Sequence, residues 1–296
     1  MEIKEFGEIS AREVKDKLGE SFSINYSDVV KNNGVIYHAI TIRDKESSIA
    51  PTIYIDQMFE DYNRGNLLMG IVDEVVRIYK QSEPGPTMDI DFYYDFSKVC
   101  DKLFYKVVNY ERNKALLEEV PIKRVLDLAL VPLCYYGNSR VGEGSITIQN
   151  SHLETWEISE EELWENVADN AVKLMPQKVT GLADFLGRLT GSDAGLQELC
   201  GINVVTNKCE TLGAATIFYP GLLKEIADDY ECDLYIIPSS VHECIVIPVG
   251  DDCMETDYLK KMIQEVNRTT VKRTEFLSDN LYIYDRESDR FNIVKN

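Results

Sequence analysis

The chain has 296 residues, 44% of them hydrophobic and 28% charged, with a formal net charge of −20. This is an ordinary globular composition, but its acidity repels phosphate backbones and anionic membranes, so direct nucleic-acid or membrane binding is not expected. No stretch approaches the roughly 18 apolar residues of a membrane span, and the opening MEIKEFGEIS has neither the basic nor the apolar region of a secretory leader.

In chain order, SAREVKDKLG reads as a first helix, with Ser10 and Glu13 in capping-box spacing and Gly19 as the stop. GVIYHAITIRD alternates, placing Ile36, His38, Ile40 and Ile42 on one face of a half-buried strand. APTIYI reads as a second strand. In NLLMGIVDEVVRIYKQ, Leu67, Leu68, Ile71, Val72, Val75 and Ile78 recur at helical spacing. SEPGPT breaks that helix and is a candidate linker. After a mixed segment over 89–123, VLDLALVPLCYY and SITIQN read as strands around the turn NSRVGEG. SHLETWE reads as a short helix opened by Ser151. EELWENVADNAVKLM continues as a helix from the capping-box pair Ser159 and Glu162 and stops before Pro176. INVVTN and AATIFYP read as strands joined by KCETLG and followed by the helix GLLKEIADDY. DLYIIP and HECIVIPV read as strands across a tight turn, followed by the helix METDYLKKMIQEVN. NLYIYDRESDRFNIV closes the pattern as a hairpin turning at RESDR.

Strand–turn–strand–helix therefore recurs about four times, which predicts an α+β fold of antiparallel sheets with helices packed on the sheet faces. An N-terminal lobe over 1–140 and a C-terminal lobe over 141–296 are expected, with one continuous domain as the alternative. The seven cysteines, at 100, 134, 200, 209, 232, 244 and 253, are odd in number and scattered. They read as free thiols in a reducing compartment, so a cytoplasmic protein is expected.

VVTN, LGAATIFYPGLLKEIA, LYIIPSSVHECIVIP and EVNRTTVKRTEFLSDNLYIYDR, with PTIYIDQMFEDYNRG, VVNYERNKALLEEVP and LDLALV upstream, together resemble an uncharacterised family from anaerobic gut Firmicutes. The resemblance covers nearly the whole chain. It implies a bacterial cytosolic protein and carries over no catalytic or binding residue.

LYIIPSSVHECIVIP gathers Ser239, Ser240, His242, Glu243 and Cys244. A Ser-His-acid triad needs the acid on the far nitrogen of the histidine and the histidine within reach of the serine. On a strand that begins at His242, the His242 and Glu243 side chains diverge. The G-x-S-x-G elbow is also missing. The expected structure is a hairpin, with Pro238, Ser239 and Ser240 supplying turn chemistry. A hydrolase site around Ser239, Ser240 and His242, completed by an acid from elsewhere, is the alternative. His242 and Cys244 would share a strand face, but no two cysteines have zinc-ligand spacing, and the other histidines are His38, on an apolar strand face, and His152, at a helix start. No metal site is expected. Cys244 has no Lys or Arg beside it to favour a thiolate, so it reads as a buried strand thiol. GEGS and TGSDAG lack the Lys-Ser/Thr ending of a phosphate loop, so no cofactor is expected.

Acidity is concentrated in two tracts without Lys or Arg, one of eight Asp/Glu over 141–172 and one of ten over 225–259. In the first, Glu161, Glu165 and Asp169 share one helix face, while Trp156 and Trp164 are expected to pack the helices to a sheet. A non-enzymatic acidic binding or regulatory protein that engages a basic protein partner is the favoured reading, with Tyr235, Glu243, Glu161, Glu165 and Asp169 as candidate binding residues.

Overall fold

The computed structural model describes residues 1–45, 50–82, 94–138, 142–191, 201–250 and 254–295. Most of the SEPGPT linker, most of TGSDAG, and Cys200 and Cys253 lie outside the described residues. The strands pair antiparallel and helices pack on them, so the fold is α+β. By its contacts the chain divides into two compact units, Met1–Phe92 with Gly137–Gly144, and Tyr93–Tyr136 with Ser145–Asn296.

The first unit carries helix α1 (Ile3–Leu18), strands β1 (Phe22–Val30), β2 (Ile36–Asp44) and β3 (Thr52–Tyr54), and helices α2 (Asp56–Asn63) and α3 (Leu68–Gln81). The sheet order is β1-β2-β3. Alternation puts Ile40, Ile42 and Ile53 on one face, where they meet Phe6 and Val14 of α1 and Val72 and Val75 of α3. Ile36 belongs to the predicted strand but lies exposed at its start. The first helix begins well before the expected Ser10. The Ser10 side chain is buried inside it, and its hydroxyl has no hydrogen-bond partner. Gly7 is required by close packing: a Cβ there would stand 2.3 Å from the Tyr26 ring.

The second unit contains α4 (Phe96–Val99), β4 (Leu103–Asn109), α5 (Tyr110–Leu117), β5 (Lys123–Val125), most of β6 (Leu128–Asn138), the end of β7 (Gly142–Thr147), α6 (Asn150–Trp156) and α7 (Glu160–Leu174). It continues through β8 (Gln177–Gly181), α8 (Leu182–Thr190), β9 (Asn203–Asn207), α9 (Leu222–Tyr230), β10 (Leu234–Pro238), β11 (Cys244–Pro248), α10 (Thr256–Thr269), β12 (Tyr282–Asp285) and β13 (Arg290–Ile293). β7 pairs with β6, and β6 lies between β4 and β5. The larger sheet has the order β13-β12-β10-β11-β9-β8, and its central strands carry core residues on both faces. Leu234, Ile236, Cys244, Val246 and Tyr282 enter the main core with Trp164 and Val167 of α7. Their alternating neighbours Ile237 and Ile247 join Leu259 and Ile263 of α10 on the opposite face.

Local chemistry explains the ends of α7. The Ser159 hydroxyl accepts the Glu162 backbone N–H at 3.1 Å, as its spacing predicts, and the acids of the first turn complement the helix dipole. The expected strand in AATIFYP is instead a 3-10 helix over Gly213–Phe218. Its small residues Gly213, Ala214 and Ala215 are all buried, which a half-exposed strand would not allow. The third repeat of strand–turn–strand–helix is therefore broken. The C-terminal hairpin forms as expected and is held from a distance. The Asp127 carboxylate, just before β6, accepts from the hydroxyls of Tyr282 at 2.8 Å and Ser278 at 2.7 Å and from the Asn280 amide at 3.0 Å.

Candidate functional site

The stretch Ser239–Glu243 is the loop between β10 and β11, and β11 begins only at Cys244. His242 is therefore not a strand residue, and strand alternation does not govern where it and Glu243 point. The loop closes on itself: the Ser240 backbone N–H donates to the Glu243 carbonyl at 3.2 Å. The Ser240 hydroxyl donates to Glu243 Oε1 at 2.8 Å and accepts the His242 backbone N–H at 3.0 Å. Both of its functions are spent inside the turn, and Ser240 is buried.

His242 is held by another segment. Its Nδ1 accepts the Leu212 backbone N–H at 3.2 Å, so a neutral imidazole carries its proton on Nε2. Nε2 stands 3.9 Å from Glu275 Oε1, which also takes the Lys272 ammonium at 3.0 Å. The His242 carbonyl accepts the Thr206 hydroxyl at 2.7 Å. Gly213 passes so close that a Cβ would lie 2.1 Å from Thr206 Oγ1 and 2.6 Å from the His242 carbonyl oxygen. Leu212 and Glu210 adopt left-handed backbone angles to make this approach. The cleft beside the loop has a volume of about 430 Å³, and its polar lining includes Glu210, Ser239, His242, Glu243 and Glu275. Cys244 faces the main core instead, where burial pushes its thiol pKa far up. It does not share a face with His242. Among the described residues, no three His, Cys, Asp or Glu side chains are grouped as a metal ion needs.

The second candidate is the outer face of α7. Glu161, Glu165 and Asp169 stand exposed in a row, one helical turn apart. Between them and the core lies Trp164, whose indole N–H donates to the Pro121 carbonyl at 3.1 Å. A cleft of about 600 Å³ is lined by Glu160, Glu161, Glu165, Trp164, Ala168 and Lys123. The Lys123 ammonium sits 5.0 Å from the centroid of the Trp164 ring. Glu160, Glu161, Glu165 and Asp169 form no ion pair among the described residues.

Neither Tyr235 nor Glu243 lines this cleft. Tyr235 is half-buried on β10 against the α10 side of the sheet, and Glu243 is engaged in the β10–β11 loop. Lys123, Glu210, Leu212 and Glu275 were not expected in either site. They come from distant segments, and only Lys123, in a short basic KR pair, carries a local signal.

The family model of DUF5688, a family of unknown function, matches residues 3–286, so the chain belongs to that family. Neither the curated proteins nor the solved structures yield a match. No helix among the described residues is long and apolar enough to cross a membrane.

Proposed function

We propose that this is a bacterial cytoplasmic, non-enzymatic binding or regulatory protein that engages a basic segment of a protein partner through the outer face of α7. The observation that carries the reading is the α7 cleft, in which Glu160, Glu161 and Glu165 border the Trp164 side chain. The helix dipole accounts for acids in the first turn, Glu160 to Glu162, but its effect fades beyond that turn. Glu165 and Asp169 lie deeper in the helix and form no ion pair among the described residues, which leaves them available to a partner's cation. A lysine- or arginine-bearing segment supplies it, and the net charge of −20 steers such a partner in.

The alternative is a hydrolase around Ser239, Ser240 and His242. The geometry supports it less: the Ser240 hydroxyl is donated to Glu243, and the His242 nitrogen that could accept a proton is bonded to the Leu212 N–H.

Calorimetric titration with an arginine- and lysine-rich peptide, at low and physiological salt, tests the binding reading. Binding should weaken with salt. Glu161→Gln with Glu165→Gln should lower affinity roughly threefold to tenfold. Salt-independent binding unaffected by the double variant would overturn it.

A further inference from the structure

We infer that Lys123 is a resident occupant of the α7 cleft, and that an arginine of the partner takes its place on Trp164. This rests on the binding reading above and adds how the site is kept closed and which side chain opens it.

Lys123 stands over the indole face at 5.0 Å from its centroid and makes no ion pair among the described residues, although Glu160, Glu161 and Glu165 line the same cleft. A cation facing a tryptophan ring is held by the ring's quadrupole. The chain's own lysine thus displays the chemistry the cleft accepts, a cation on an aromatic face beside carboxylates. Trp164 cannot follow Lys123 outward, because its N–H is tied to Pro121 and its far side is packed in the core with Tyr105. Lys123 can leave while its strand stays in place. Its backbone pairs with Leu130 of β6, whereas its side chain is a flexible stem ending in solvent. Trp164 is only 3% exposed but lines the cleft, and the place over its ring that Lys123 holds is the one an incoming cation would take.

Arginine is the stronger replacement. Its planar guanidinium stacks on an indole and can also donate two parallel hydrogen bonds to a carboxylate, here Glu161 or Glu165, which an ammonium cannot do. The site should therefore prefer arginine to lysine in the incoming segment.

The test uses the full chain, with an oligo-arginine and an oligo-lysine peptide as probes and the two indole N–H resonances as reporters, Trp164 being assigned with Trp164→Phe. Lys123→Ala should tighten oligo-arginine binding roughly twofold to fivefold, the worth of one exposed cation–aromatic contact. Lys173→Ala removes the same charge from an exposed position on α7 outside the cleft and should change affinity less. Lys123→Arg, a better occupant, should bind no more tightly than the native chain. The Trp164 resonance should shift on peptide addition and in Lys123→Ala. If Lys123→Ala and Lys173→Ala act equally, or the Trp164 resonance stays fixed while peptide binds, the resident-lysine inference fails. In that event, the binding reading still stands if Glu161→Gln with Glu165→Gln weakens binding. Absence of binding by every form sinks both.

Discussion

The Leu212 backbone N–H donates to His242 Nδ1 at 3.2 Å, joining the turn after β9 to the loop between β10 and β11. The bond depends on Gly213, whose backbone fits between Thr206, Asn207 and His242. Gly213→Ala should destabilise the protein by about 2–4 kcal/mol, because neither the backbone atoms nor the hydroxyl it would strike can yield cheaply. Gly70→Ala, in the first turn of α3 with open space at its Cβ, is the matched control and should be neutral or mildly stabilising. Urea denaturation of both variants decides it, and equal effects would refute the close-approach argument.

Ser10 should be better as alanine. Its hydroxyl is buried in α1 without a partner, and alanine is the stronger helix former. Ser10→Ala should stabilise by about 1 kcal/mol, read as a higher denaturation midpoint. A loss of stability would mean that the hydroxyl is hydrogen-bonded in solution.

His152 predicts a dependence on pH. Its Nδ1 accepts the Gln149 backbone N–H at 2.8 Å at the start of α6, and burial holds its pKa below the ordinary histidine value. The unfolded chain takes up the proton first. The stabilisation is therefore complete above the unfolded pKa of about 6.5 and is lost as pH falls below it toward the folded value. His152→Gln keeps the capping-box acceptor without titrating. Denaturation midpoints at about pH 7.5 and about pH 5.5 should converge in the variant relative to the native chain. An unchanged pH slope would show that His152 is not its source.

Asp127 should matter more than any single one of its partners. Asp127→Ala leaves the buried Tyr282 hydroxyl, Ser278 and Asn280 unsatisfied and should lose about 2–4 kcal/mol. Tyr282→Phe removes one donor from a carboxylate that keeps two others, and should lose about 1 kcal/mol. Chemical denaturation ranks the pair, and the reverse order would contradict the network.

Elements with strong periodicity were legible in the sequence. The face of α3, the Ser159 cap of α7, the paired strands β10 and β11, and the C-terminal hairpin follow from local pattern. β1 is absent from the sequence reading although FSINYSDVV alternates Phe22, Ile24 and Tyr26 with polar residues, the same period-two signal that marks β2. AATIFYP has the composition of a strand, but its small residues serve close packing on every side, which only the tertiary neighbours reveal. The loop chemistry was misjudged for a similar reason. Turn propensity correctly placed a turn after Pro238, but the partners that orient His242 are a backbone N–H at Leu212 and a carboxylate at Glu275. No local spacing rule reaches either. The row Glu161, Glu165 and Asp169 was visible at once, whereas the lysine that sits on Trp164 was not.

The clasp at Asp127 also bears on the order in which the molecule can be made. Asp127 precedes β6, yet its three donors lie at 278–282, and Asn109 at the end of β4 donates to the Leu277 carbonyl. As the chain leaves the ribosome, the middle of the second unit must wait until residues 277–282 have been made before these groups are satisfied. Until then the seat for Tyr282 stays open among apolar side chains, and the free edge of β10 has no partner from β12. A nascent chain stalled before residue 277 lacks the partners of Asp127 and of the β10 edge, and unpaired edges of this kind favour aggregation. The β12–β13 hairpin closes the core of the second unit.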